Sequence, residues 1–213
     1  MEHAALTGHP VTAMAAALSP SSRRQLVAAS CGGAVGAIAA APLFAPAQIA
    51  ASAVLCAMMA AIAFEDMLRF RIPDPWVYGA LAAGLAWTAA VRFRSDENLL
   101  LAIGSTVLSA VVCGGVFLAI REVFFRLRGV DGLGLGDVKL AAAGGAWLGW
   151  EMFPLAVFVA AAGALAFVGA RVLRGGGWTA SKRLAFGVFL APAIWATWLF
   201  WHAAVFGSEG LWG

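Results

Sequence analysis

The chain has 213 residues, of which 62% are hydrophobic and 12% charged, with a net charge of +3. That share of charge is about half the usual one for a soluble domain, and so little polar surface cannot cover a soluble core of this size. The composition therefore excludes an ordinary soluble domain and points to a single bilayer-embedded one. The small basic excess falls between apolar runs, where it reads as a topology signal and not as a nucleic-acid footprint.

In chain order, residues 1–22 are rich in Ala, Ser and Pro and only weakly apolar, which predicts a loose tail; residues 1–24 are placed on the cytoplasmic side. Gln25 to Phe64 carries no charge. It is long enough for two spans of about 20 residues each, with Pro42 and Pro46 supplying the turn. One helix is expected near Leu26 to Ala41 and a second near Gln48 to Asp66. Trp76 to Val91 is a third, and Leu99 to Ile120 a fourth. Val138 to Leu148 is a short apolar helix, Met152 to Val172 a further span, and Leu184 to Phe206 the last, ahead of a short tail over 207–213. The predicted fold is all-α, a polytopic membrane bundle of about six or seven transmembrane helices spanning 25–206.

Basic residues orient the spans. With Arg23 and Arg24 in the cytoplasm and one crossing per segment, Arg69, Arg71, Arg121, Arg126, Arg128, Arg171, Arg174, Lys182 and Arg183 also fall there. Only Arg92 and Arg94 fall outside, an asymmetry that fits the positive-inside rule. Trp147, Trp150, Trp198 and Trp201 are expected at the outer interface and Trp76 at the inner one. Trp195, Trp198 and His202 form a stripe read as interfacial anchoring. Gly32, Gly33, Gly36, Gly144, Gly145 and Gly149 lie inside helical runs, where small residues let helices approach closely. Cys31, Cys56 and Cys113 lie in apolar runs and match no metal spacing; His3, His9 and His202 are scattered, so no metal or other cofactor is implied.

Two acids stand out. Asp66 ends an apolar span, and the same topology puts it on the cytoplasmic side with Asp137. By itself Asp66 also fits a plain helix end, with Pro73 stopping the helix and Glu65 and Asp74 as solvated flanks. Asp137 follows a glycine turn, Gly132, Gly134 and Gly136, and by itself fits a helix N-cap. The helix behind it, Val138 to Leu148, rises only about 17 Å, too short for a hydrocarbon core of about 30 Å. Asp137 is then expected below the inner surface, with glycine backbone lining a cavity. An ionisable side chain there is a functional-site candidate. Two carboxylates sharing a site do not both ionise easily, so one holds a proton while the other takes one from water. Asp66 lies near a helix C-terminus and Asp137 at an N-terminus, which suggests Asp66 as the protonated member and Asp137 as the base. Lys139 either snorkels to the surface, tunes Asp137 or steers a substrate acid.

At these segments the chain resembles the type IV prepilin peptidases, the GxGD aspartic membrane peptidases of bacteria. The first block is Asp66 through Ile72, Pro73 and Asp74. The second is Gly134-Leu135-Gly136-Asp137-Val138-Lys139-Leu140, followed by an Ala/Gly-rich helix ending Trp147-Leu148-Gly149. A weaker third block, Phe186-Gly187-Val188-Phe189-Leu190-Ala191, has Val188 where the family pattern has Pro. The resemblance implies that Asp66 and Asp137 are the catalytic pair. It implies an inner-membrane enzyme that removes prepilin or pseudopilin leaders on the cytoplasmic side, cutting after a Gly ahead of the pilin's apolar helix. Many members also carry a domain with two Cys-x-x-Cys pairs that accompanies N-methylation. This sequence has no such pairs, so the expected form is a peptidase without methyl transfer, similar to those of tight-adherence (Flp-type) pili. A different class competes: a small transporter or proton- or cation-conducting protein using Asp66 and Asp137. Placement at the cytoplasmic helix ends, away from mid-membrane, favours the peptidase.

Overall fold

The structure is a computed structural model that describes residues 19–94, 98–129, 132–175 and 184–206. The regular structure of these residues is helical: α1 (Pro20–Ala40), α2 (Pro46–Arg69), α3 (Asp74–Arg94), α4 (Leu99–Arg128), α5 (Leu135–Leu173) and α6 (Gly187–Phe206). Four of them, α2, α4, α5 and α6, are long and apolar enough to cross a bilayer. The chain is a polytopic helical membrane protein. His3, His9, Lys182, Arg183 and the C-terminal tail over 207–213 lie outside the described residues.

Helix starts follow local chemistry. α1 begins at Pro20, ahead of the expected Leu26, because Ser19 Oγ accepts the Ser22 N–H at 3.2 Å and Pro20 needs no N–H partner. Arg23 and Arg24 are therefore helical. Asn98 caps α4 by accepting from the Leu100 and Leu101 N–H groups at 3.1 and 3.3 Å. α4 also runs on past the expected Ile120 to Arg128, ending at Gly129 with φ 68°.

α5 combines two segments expected to be separate. Gly149, with φ 72° and ψ 164°, breaks the helical path between them. A methyl at Gly144 would lie 2.7 Å from the ring of Phe153. Nine residues of straight helix would separate those positions by about 13.5 Å, beyond a phenylalanine's reach. The chain therefore bends sharply at Gly149, so that glycine is not an interior helix residue.

The interior glycines do bring helices together. A methyl at Gly36 would stand 2.7 Å from both Cys56 Cβ and Ser52 O, and Ser52 Oγ donates to Gly36 O at 3.0 Å. This joins α1 closely to α2. Gly145 approaches the Ser109 carbonyl in the same way, joining α5 to α4. Cys56 and Cys113 are buried, and Cys31 faces outward.

Two tryptophans correct the expected aromatic belt. Trp198 is fully buried, edge-on to Trp87 and Trp147 and stacked on His202 with centroids 4.0 Å apart. Trp147 is buried as well, and its Nε1 donates to Ala80 O at 2.7 Å. Both are core residues and not interfacial anchors. Trp150 and Trp201 are exposed as an anchor requires.

Candidate active site

Asp66 lies one turn from the end of α2. The helix ends because Phe70 turns left-handed, with φ 53° and ψ 37°, while its N–H still reaches Asp66 O at 2.9 Å. Pro73 is thus not the stop; Phe70 is. The strap Phe70 to Pro73 then leads into α3, and Val77 N–H returns to Pro73 O. Restriction of the residue before a proline disfavours helix at Ile72, which lies outside both helices and is buried.

Asp137 enters from the other side. α5 starts at Leu135, so Asp137 is its third residue, and the cap position belongs to Gly134. The Gly134 N–H donates to Asp137 Oδ2 at 3.2 Å, which fixes the carboxylate against its own helix start. Gly136 is helical and not part of an open glycine loop. It is a glycine for a different reason: a methyl there would lie 2.9 Å from Ile72 Cβ.

Asp66 and Asp137 both line one cleft of about 290 Å³, with Phe70, Arg71, Ile72, Asp74, Gly134, Leu135, Gly136 and Lys139. The two acids are 5% and 9% exposed. Asp66 Oδ2 and Asp137 Oδ1 are buried, and neither has a hydrogen-bond partner among the described residues. A buried carboxylate oxygen without a protein partner forfeits hydrogen-bond energy, and such an atom is a place to look for a reacting molecule. Pro73 does not line this cleft. It lines a neighbouring one of about 300 Å³ that shares Arg71, Ile72 and Asp74 with the first. A larger cavity of about 860 Å³, walled by Trp87, Trp147, Trp150 and His202, contains neither aspartate.

Three expectations change. Glu65 is not a solvated flank: it is 2% exposed and pairs with Arg69 at 3.3 Å. Lys139 pairs with Asp74, Nζ to Oδ1 at 2.7 Å, and lies 5.6 Å from the Tyr78 ring centroid. Its ion-pair partner is therefore Asp74 and not Asp137, and it reaches that partner at the exposed surface, as a snorkelling lysine does. The third change concerns Asp66. The first turn of α6 abuts its carboxylate: a methyl at Gly187 would stand 2.7 Å from Asp66 Oδ2. Both acids thus meet a helix N-terminus, where negative charge is favoured. The helix-end asymmetry between α2 and α5 is thus offset at Asp66 by α6, and it no longer singles out Asp66 as the protonated member. The sequence offered a signal for α6, the weak third block, but no reason to connect it with Asp66.

Residues 53–169 match the Type IV leader peptidase family. The chain belongs to this family. Its curated relatives include the Prepilin leader peptidase/N-methyltransferase of Burkholderia pseudomallei (strain K96243), 38% identical over 169 residues, which covers 78% of this chain and 51% of the relative. The protein of the same description from Aeromonas hydrophila is 31% identical over 156 residues, 73% of this chain and 50% of the relative. Leader peptidase HopD of Escherichia coli is 38% identical over 91 residues, 43% of this chain and 59% of the relative. The chain spans about half the length of the first two. The family match contains both Asp66 and Asp137. No solved structure matches the chain.

Proposed function

We propose that this protein is an integral-membrane aspartic endopeptidase that removes the leader of a prepilin or pseudopilin, with Asp66 and Asp137 as the catalytic pair. The observation that carries the reading is the shared cleft, into which two buried carboxylates from distant segments each bring an oxygen without a protein partner. Family membership supplies the substrate class.

The chemistry follows from the pair. With one proton between them, the ionised acid accepts a proton from water as that water attacks the scissile carbonyl. The protonated acid donates toward the carbonyl oxygen, and its proton stabilises the charge developing there. Collapse of the tetrahedral intermediate expels the amine, which takes up a proton from the acid that received one from water. Which aspartate starts with the proton is a property of the pair and not of either residue. Gly134 would hold Asp137 through its N–H, while Gly136 would admit Ile72 between the helices.

The cut is proposed on the cytoplasmic side of the bacterial inner membrane, after a Gly ahead of the pilin's apolar helix. The distribution of Arg and Lys supports that side. The proposed partners are the leader peptide, the apolar helix that follows it and the surrounding bilayer; no nucleic acid takes part.

The test is co-expression with a candidate prepilin, following leader removal by gel shift. Wild type is expected to convert the substrate, and Asp66→Asn and Asp137→Asn to leave it uncut. Cleavage at the wild-type rate by either variant would overturn the catalytic pair.

A further inference from the structure

The first turn of α6 has no part in the reaction as described, yet it abuts Asp66. A methyl at Gly187 would stand 2.7 Å from Asp66 Oδ2 and 3.2 Å from its Cγ, and 2.9 Å from Ile72 Cδ1. Real Cβ atoms do not tolerate such approaches to a fixed carboxylate, so a side chain there would displace Asp66. The Val188 N–H is taken up by Ala185 O at 3.3 Å, so what the first turn of α6 presents to the Asp66 carboxylate is the backbone of Gly187. Asp66 itself is buried, and its Oδ2 has no hydrogen-bond partner among the described residues.

We propose that the first turn of α6 is the positioning element for Asp66. Gly187 leaves room for the carboxylate, and its backbone, close against Oδ2, keeps the group turned toward the cleft. This rests on the aspartic-peptidase reading. The competing explanation is ordinary helix packing, in which Gly187 is small only to accommodate Ile72. The two explanations respond differently to substitution. Ile72→Val removes the Cδ1 that a methyl at 187 would strike, but leaves the conflict with Asp66 in place. The double variant, Gly187→Ala with Ile72→Val, is therefore relieved of the apolar clash and retains the one with the carboxylate.

The experiment measures steady-state cleavage of a purified prepilin whose leader ends in Gly ahead of an apolar helix, by the full chain in detergent. Gly187→Ala is expected to lower kcat by at least about tenfold, as a misplaced reacting group does. KM should stay within about twofold, because ground-state binding is untouched. Adding Ile72→Val is expected to restore nothing. Restoration of Gly187→Ala by Ile72→Val would overturn the proposal. Should Gly187→Ala alone fail to fold, the double variant, relieved of the clash with Ile72 Cδ1, decides: wild-type kcat in it would overturn the proposal. Asp66→Asn run alongside separates the levels. If Asp66→Asn is inactive while Gly187→Ala cuts normally, the positioning role falls alone. If Asp66→Asn cuts normally, the catalytic pair falls and the positioning role with it.

Discussion

Lys139 Nζ lies 2.7 Å from Asp74 Oδ1, joining the second turn of α5 to the first turn of α3 across 65 residues of sequence. One partner follows Asp137 by two positions, and the other follows the Ile72–Pro73 strap. The pair therefore connects the two segments that carry the acids. Both side chains are partly exposed, at 36% and 55%, so solvent screens the pair and its contribution to stability is small. Its value lies in alignment. Lys139→Met is expected to leave the thermal midpoint close to wild type while lowering kcat/KM about three- to tenfold. The exchanged pair, Lys139→Asp with Asp74→Lys, is expected to recover most of that loss, and a double-mutant cycle of cleavage rates measures the coupling. Additive losses would show that the two residues act separately.

A pair of carboxylates in one cleft also dictates a form for the pH dependence. At low pH both acids hold protons and no base remains. At high pH both are ionised and no acid remains. Cleavage is therefore expected to follow a bell when kcat/KM is measured against pH, with limbs that belong to the pair. Asp137→Glu keeps the chemistry but moves the carboxylate by about 1 Å, which is expected to cost on the order of a hundredfold in kcat. A rate that rises or falls monotonically across the whole range would contradict a shared proton.

The helices were legible in the sequence because uncharged runs of this length suit a bilayer whatever they pack against. Asp66 and Asp137 were legible as a pair because counting crossings and basic residues put both at one membrane face. What sequence hid has a common physical cause. Lipid tails are as apolar as a protein core, so hydropathy cannot tell Trp198, which is buried among Trp87, Trp147 and His202, from an interfacial tryptophan. The same holds for Glu65, which looks solvated until Arg69 is seen beside it. Contacts between distant segments, such as Gly187 against Asp66, depend on how helices are arranged around the cleft, and no local pattern carries that.

Helix contact makes adjacent glycines unequal. A methyl at Gly32 would lie 2.5 Å from Ala60 Cβ and 2.8 Å from Cys56 O, whereas one at Gly33 meets nothing closer than 3.5 Å. Gly32→Ala is expected to destabilise by about 1–3 kcal/mol through overpacking. Gly33→Ala is expected to be neutral or to stabilise by up to about 1 kcal/mol, since alanine is the better helix former. Thermal unfolding of the purified protein in detergent distinguishes them. Equal midpoints would mean that α1 is not held against α2 as described.

Gly149 separates backbone strain from packing. With φ 72° and ψ 164° it occupies a region essentially reserved for glycine, yet a methyl there would find no atom within 4 Å. Gly149→Ala is therefore expected to cost about 1–3 kcal/mol from backbone strain alone. Gly129, left-handed at φ 68° and ψ 10° and equally open, should lose less, about 1–2 kcal/mol, because alanine enters that region more readily. The consequences for cleavage also differ. Gly149 ends the helical segment that carries Asp137 in its first turn, so an alanine that straightens the bend would move the Gly144 face off Phe153 and shift Asp137 relative to Asp66. A loss of kcat larger than the loss of stability is expected for Gly149→Ala and not for Gly129→Ala, read from cleavage rates at a temperature where both variants remain folded.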